Sequence, residues 1–133
     1  MAPTHNELRK AVDFWKRSAL DNLKTAEAML KSKRYNFTMF MCHQTLEAAL
    51  KALYIASKKS RPPYIHKLPK LLGEIGLLPP LDIDQTILKV DAHYIKARYF
   101  EDRFNTKVYN EKNTRELISL TKEALQWLLN QIR

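Results

Sequence analysis

The sequence predicts an all-α protein, an up-and-down helical bundle of four long helices plus one short helix. Three observations predict it. Only two glycines, Gly73 and Gly76, occur in 133 residues, which excludes glycine-rich phosphate loops and a series of tight hairpins. Apolar residues recur at steps of three and four over long stretches, the period of a helix buried along one side. Pro62-Pro63 and Pro79-Pro80 mark two places where helix cannot continue.

The first helix opens at Thr4-His5-Asn6-Glu7, where the Thr4 hydroxyl accepts from a free backbone N–H and Glu7 reaches back. Leu8, Val12, Trp15, Ala19, Leu23, Ala26 and Leu30 then form one apolar stripe to about Lys31, with Arg9, Lys10, Asp13, Lys16, Arg17, Asp21 and Lys24 on the other face. Ser32-Lys33-Arg34 is long enough only to reverse the chain, so the next helix runs antiparallel. That helix, Tyr35 to about Ser57, is apolar on nearly every side and is expected at the centre of the bundle. His43, Gln44, Glu47 and Lys51 interrupt it as a polar stripe.

A short helix from Lys67 to about Ile75 is expected to stop at Gly76. A fourth begins at Asp82 or Asp84, carries Ile83, Ile87, Val90, Tyr94 and Ala97 inward, and fades near Arg98-Tyr99. Phe100 to Tyr109 lacks a sustained apolar period and reads as a loop. The last helix starts at Asn110 or at Asn113, where Glu116 would complete a capping box, and continues through Leu117, Leu120, Ala124, Trp127, Leu128 and Ile132.

The length fits a single domain over residues 1–133, and 45% hydrophobic with 28% charged residues is an ordinary globular composition. Cys42 has no partner for an internal disulfide, which suits a reducing compartment. No apolar run approaches the ~18 residues needed to span a bilayer, and the N-terminus lacks a signal-peptide core, so a cytoplasmic protein without membrane association is expected. The net charge of +9 favours an anionic partner. Its excess lies in the first half, where residues 1–66 carry 12 Lys/Arg against 5 Asp/Glu. Basic clusters stand at Lys31-Lys33-Arg34 and Lys58-Lys59-Arg61 and would make phosphate contacts without reading bases.

Tyr35-Asn36-Phe37, then Gln44-x-x-Glu47-x-x-x-Lys51-Ala52-Leu53, a loop ending His66-x-Leu68, and Tyr94-Ile95-Lys96-Ala97-Arg98-Tyr99 occur in an order that resembles the HEPN domain family over almost the whole chain. The resemblance implies a helical bundle, a homodimer, and a minimal nucleotidyltransferase as partner in a toxin–antitoxin-like pair. Many catalytic relatives are metal-independent RNases that use an Arg followed four to six residues later by a His. Here no His follows Arg98. Arg61 and His66 match the spacing, but in a proline loop, where Arg61 reads as a solvated cation and His66 as a cap for the short helix.

The candidate sites follow from this pattern. His43, Gln44, Glu47 and Lys51 form either an ion-paired bundle edge or the floor of a nucleotide- or RNA-binding cleft facing Arg98. Arg98 can fork onto a phosphate and Tyr99 can stack on a base, or the two can cap and pack a helix end. Asp102 and Arg103 would orient Arg98 or extend the positive wall of the nucleotide- or RNA-binding cleft, and His93 is a candidate general acid or base. Cys42 and His43 are adjacent on a helix and diverge by about 100°, which disfavours a nucleophile–base pair. His5, His43, His66 and His93 lack metal-ligand spacing, so no metal and no cofactor is expected. Three functions remain open: a dimeric nucleotide- or RNA-binding partner of a nucleotidyltransferase, a metal-independent RNase toxin with His43, His66 or His93 replacing the missing histidine, and a non-catalytic protein-interaction module.

Overall fold

A computed structural model describes residues 2–99 and 101–133; Met1 and Phe100, the first residue of the expected loop, lie outside the described residues. All regular structure among them is helical: α1 His5–Lys31, α2 Tyr35–Lys58, α3 Leu68–Ile75, α4 Leu81–Asp91, α5 His93–Lys96 and α6 Glu111–Asn130, with a 3-10 turn at Asp102–Phe104. The α1 capping box forms as expected, Thr4 accepting from the Glu7 N–H while Glu7 accepts from the Thr4 N–H. Lys33 takes a left-handed φ of 60° in the reversal that lays α2 back along α1.

α2 is the central element: 14 of its 24 residues are buried, and α1, α3, α4, α5 and α6 all pack against it. Leu46 and Leu50 of α2 join Ala19 and Ala26 of α1, Leu68 and Leu71 of α3, Ile87 and Val90 of α4, and Leu128 of α6 in one buried cluster. α1 and α2 lie against each other over their length, and Ala19, Ala26, Ala48, Ala49 and Ala52 on the two helices are all buried. Gly76 ends α3 with φ of 78°, a conformation that glycine adopts without Cβ strain.

The expected fourth helix differs in one respect. It is divided at Ala92 into α4 and α5, so the fourth long member of the bundle is shorter than the pattern suggests. At the break the Asp91 carboxylate accepts from the Leu68 N–H at 2.8 Å, tying the end of α4 to the start of α3. Ala92 keeps helical angles (φ −59°, ψ −28°), so the apolar period carries through the interruption, and Val90 and Ala97 are both fully buried. Hydrophobic spacing therefore could not reveal it. At α6 the cap is Asn110, whose side chain accepts from the Asn113 N–H at 2.8 Å. Asn113 instead donates to the Lys107 and Val108 carbonyls and braces the incoming loop.

Candidate functional site

The polar stripe of α2 is a buried support, not the floor of an open cleft. His43 is fully buried, and Glu47 and Lys51 are each 6% exposed. Glu47 is the hub: Oε2 accepts from Lys51 Nζ at 3.0 Å and Oε1 from His66 Nδ1 at 3.0 Å. The Lys51 ammonium also lies 5.1 Å from the Trp15 ring of α1. An ion pair at this depth is tolerable because each charge has a matched partner. His43 Nε2 donates to the His66 carbonyl at 2.8 Å, and its Nδ1 lies 3.2 Å from Gln44 Oε1. Burial holds the His43 pKa below its ordinary value, although Gln44, Glu47 and Asp91 pull the other way.

Two bonds from α2 thus fasten the end of the proline loop, and they aim His66 outward. Its side chain is 49% exposed, and with Nδ1 committed to Glu47, its Nε2 has no hydrogen-bond partner among the described residues. His66 does not cap α3, as the sequence reading expected, because Asp91 already occupies the Leu68 N–H. The imidazole stacks instead on Tyr94 of α5, with ring centroids 4.9 Å apart and planes 14° from parallel. The His43 ring meets the same phenol at 4.8 Å.

Tyr94 joins this cluster to Arg98. The Arg98 guanidinium carbon lies 4.5 Å from the centroid of Tyr94 and 4.7 Å from that of Phe40, while its Nε donates to the Tyr94 carbonyl at 2.7 Å. The side chain is exposed, and its two terminal nitrogens make no hydrogen bond among the described residues. Asn36 holds the end of α5 against the start of α2 by donating to the Ala97 carbonyl at 2.9 Å, which sets Arg98 at the same end of the bundle as Lys33 and Arg34. The result is a shelf of exposed Arg98 and His66 on half-buried Tyr94, resting on His43, Glu47 and Lys51.

Several expected residues fall elsewhere. Tyr99 follows Arg98 and is 54% exposed. Asp102 and Arg103 do not orient Arg98: Arg103 lies over the Phe104 ring at 4.6 Å, and no ion pair joins Asp102 to Arg98 among the described residues. His93 points away from the shelf, its Nδ1 lying 2.8 Å from the Tyr109 hydroxyl. Burial, with Lys96 and His43 adding to it, lowers the His93 pKa to about 4, unsuited to proton transfer near neutrality. Arg61 is exposed in its loop. Cys42 is buried, and burial pushes its thiol up to about 12. Among the described residues no group of three or more His, Cys, Asp or Glu side chains is placed to hold a metal. Sequence reasoning missed Phe40 and Tyr94 as the platform; their aromatic character was visible, but both matched the apolar period and were assigned to the core.

The order and packing of the helices agree with what known proteins show. The HEPN domain model matches residues 12–132, and the chain belongs to the HEPN domain family. It is similar to the archaeal HEPN homologue ST0689, with 26% identity over 92% of this chain and 98% of that one and a TM-score of 0.76. It is similar to the same degree to TT1696 from Thermus thermophilus, with 26% identity, 90% and 97% coverage and a TM-score of 0.76. No curated protein gives a significant match. No helix among the described residues is long and apolar enough to cross a membrane.

Proposed function

We propose that this HEPN-domain protein binds a phosphate of a nucleotide or RNA at Arg98, acting as a cytoplasmic homodimer that partners a minimal nucleotidyltransferase in a toxin–antitoxin-like pair. The observation that carries the binding role is the posture of Arg98. Two aromatic rings and the Tyr94 carbonyl fix its direction while leaving the outer fork of the guanidinium open, the geometry suited to a bidentate phosphate contact. Exposed Tyr99 is near enough in sequence to stack on a base, and the net charge of +9 draws anions to the surface. His43, Gln44, Glu47 and Lys51 serve this site from below by holding His66 and the α2 surface in place.

The test is binding of ATP, GTP and a short single-stranded RNA, followed by calorimetry and by the rise in melting temperature. At least one ligand is expected to bind, Arg98→Ala to weaken it at least tenfold, and Arg98→Lys to recover only part of the loss. Equal binding by wild type and Arg98→Ala overturns the reading.

One observation favours a second reading, a metal-independent RNase. His66 is oriented by a carboxylate and stacked on the ring that also carries Arg98, so a loop histidine is available to act as the general acid or base. RNA cleavage in EDTA that is lost in both His66→Ala and Arg98→Ala supports this reading. RNA left intact by the wild-type protein rejects it.

A further inference from the structure

Where the proline loop passes the first half of α1 and the second half of α2, it leaves a cavity of about 490 Å³. None of His66, Tyr94 and Arg98 lines it, so it is distinct from the shelf. Leu8, Ala11 and Trp15 of α1 and Ile55 of α2 form its apolar wall. The opposite edge is Pro62 and Pro63, whose rings fix φ and keep the loop stiff, followed by Tyr64, which is fully exposed. A bare phenol and a half-buried indole beside an apolar hollow leave surface that a flat molecule would cover. The volume falls in the range of small-molecule sites, which are mostly apolar with a few placed polar groups.

The placed polar groups here are donors. Lys51 lines the cavity while only 6% exposed, and of its three N–H groups one is used, on Glu47 Oε2 at 3.0 Å. The Trp15 indole N–H makes no hydrogen bond among the described residues, and Arg61 makes neither a hydrogen bond nor an ion pair. Glu47 offsets the charge of Lys51, and Glu7, also at the wall, offsets that of Arg61. A phosphate dianion or a polyphosphate therefore meets no net positive field in this cavity. A single carboxylate needs only a fork of N–H groups, which the guanidinium supplies.

We infer that this cavity binds a small amphipathic carboxylate, its flat apolar body lying between the Trp15 wall and the proline edge and its one charged group held by Arg61 and the spare N–H groups of Lys51. The site is independent of the phosphate contact proposed at Arg98.

The probe is anilinonaphthalene sulfonate, a flat fluorescent body with one negative group, compared with uncharged N-phenylnaphthylamine, which lacks that group. Titration of the full chain is expected to show one saturable sulfonate site and at least about tenfold weaker binding of the uncharged dye. Naphthoate should displace the sulfonate, and inorganic phosphate at the same concentration should not. Arg61→Ala, in an exposed loop, should weaken the sulfonate about tenfold and leave the uncharged dye unchanged. Ala11→Trp fills the cavity from α1 and should abolish the site. Circular dichroism and thermal melting establish that both variants are folded. Equal binding of the two dyes, displacement by phosphate, or full sulfonate binding in folded Arg61→Ala each overturns the inference. So does full binding in folded Ala11→Trp, which would place the dye on another apolar surface such as exposed Leu78 and Leu81. Nucleotide binding measured on the same two variants should match wild type, so either site can fail while the other stands.

Discussion

His66 Nδ1 donates to Glu47 Oε1 at 3.0 Å, and the same carboxylate accepts from Lys51 through its other oxygen. One buried side chain thereby fixes an exposed histidine and neutralises a buried ammonium. Glu47→Ala removes both functions at once and strands Lys51, so we expect a loss of about 3–5 kcal/mol in urea unfolding. Glu47→Leu combined with Lys51→Met removes both charges and should cost less than the single change. A loss in Glu47→Ala below about 1 kcal/mol would mean that the pair is effectively solvated.

Acid should destabilise the protein through buried His43 and half-buried His93. His43 and His93 are held below the ordinary histidine value chiefly by burial, His93 to about 4. In the unfolded chain both bind protons as the pH falls below about 6.5, while the fold resists them. Stability is therefore unaffected by these groups above that pH, and it declines as the pH drops toward their folded values. Because His93 is partly solvated, its share should be roughly 1–2 kcal/mol between about pH 7 and about pH 4.5. Urea midpoints across that window measure the decline, and His93→Gln should flatten it; an unchanged slope would show that His93 is not responsible.

Cys42 should be chemically silent in the native state. A thiol pushed up to about 12 leaves roughly one thiolate in ten thousand at about pH 8, and the side chain is fully buried as well. Alkylation by iodoacetamide is expected to proceed only as fast as unfolding exposes the residue, and to rise at least about a hundredfold in denaturant. Rapid labelling of the folded protein would contradict that environment.

Thr114 is the one buried side-chain polar group left without a hydrogen-bond partner among the described residues. Thr38, Thr45, Thr86 and Thr121 each donate to the carbonyl four residues earlier. For Thr114 that carbonyl belongs to Asn110, the α6 cap; it accepts the Thr114 backbone N–H, and the hydroxyl makes no bond to it. Thr114→Val keeps the shape and removes the desolvated hydroxyl, so it should be neutral or stabilising by about 1 kcal/mol in thermal or urea unfolding. A loss of about 1 kcal/mol or more would reveal a partner for the hydroxyl.

Much of the fold was legible because local rules and packing agree in it. The Thr4 box, the three-residue reversal, the all-round apolar α2 and the Gly76 stop each rest on neighbouring residues, and each appears where expected. The division at Ala92 was not legible, since Ala92 keeps helical angles and the apolar period runs through it undisturbed. The site was half legible. The α2 stripe and Arg98 stood out, but their depth did not: periodicity shows which residues share a face, not whether a loop later covers that face.

What the sequence determined alone is α1, α2, α3 and α6, the order of the helices, the central place of α2 and the basic balance of the chain, because these follow from propensity, caps and spacing along a continuous backbone. Tertiary structure decided which polar groups face solvent. The proline loop folds over Glu47, turning an apparent cleft floor into an internal brace, and Tyr94 brings a histidine and an arginine 32 residues apart onto one ring. Contacts of that range depend on how helices cross and where loops settle, and no local pattern encodes them.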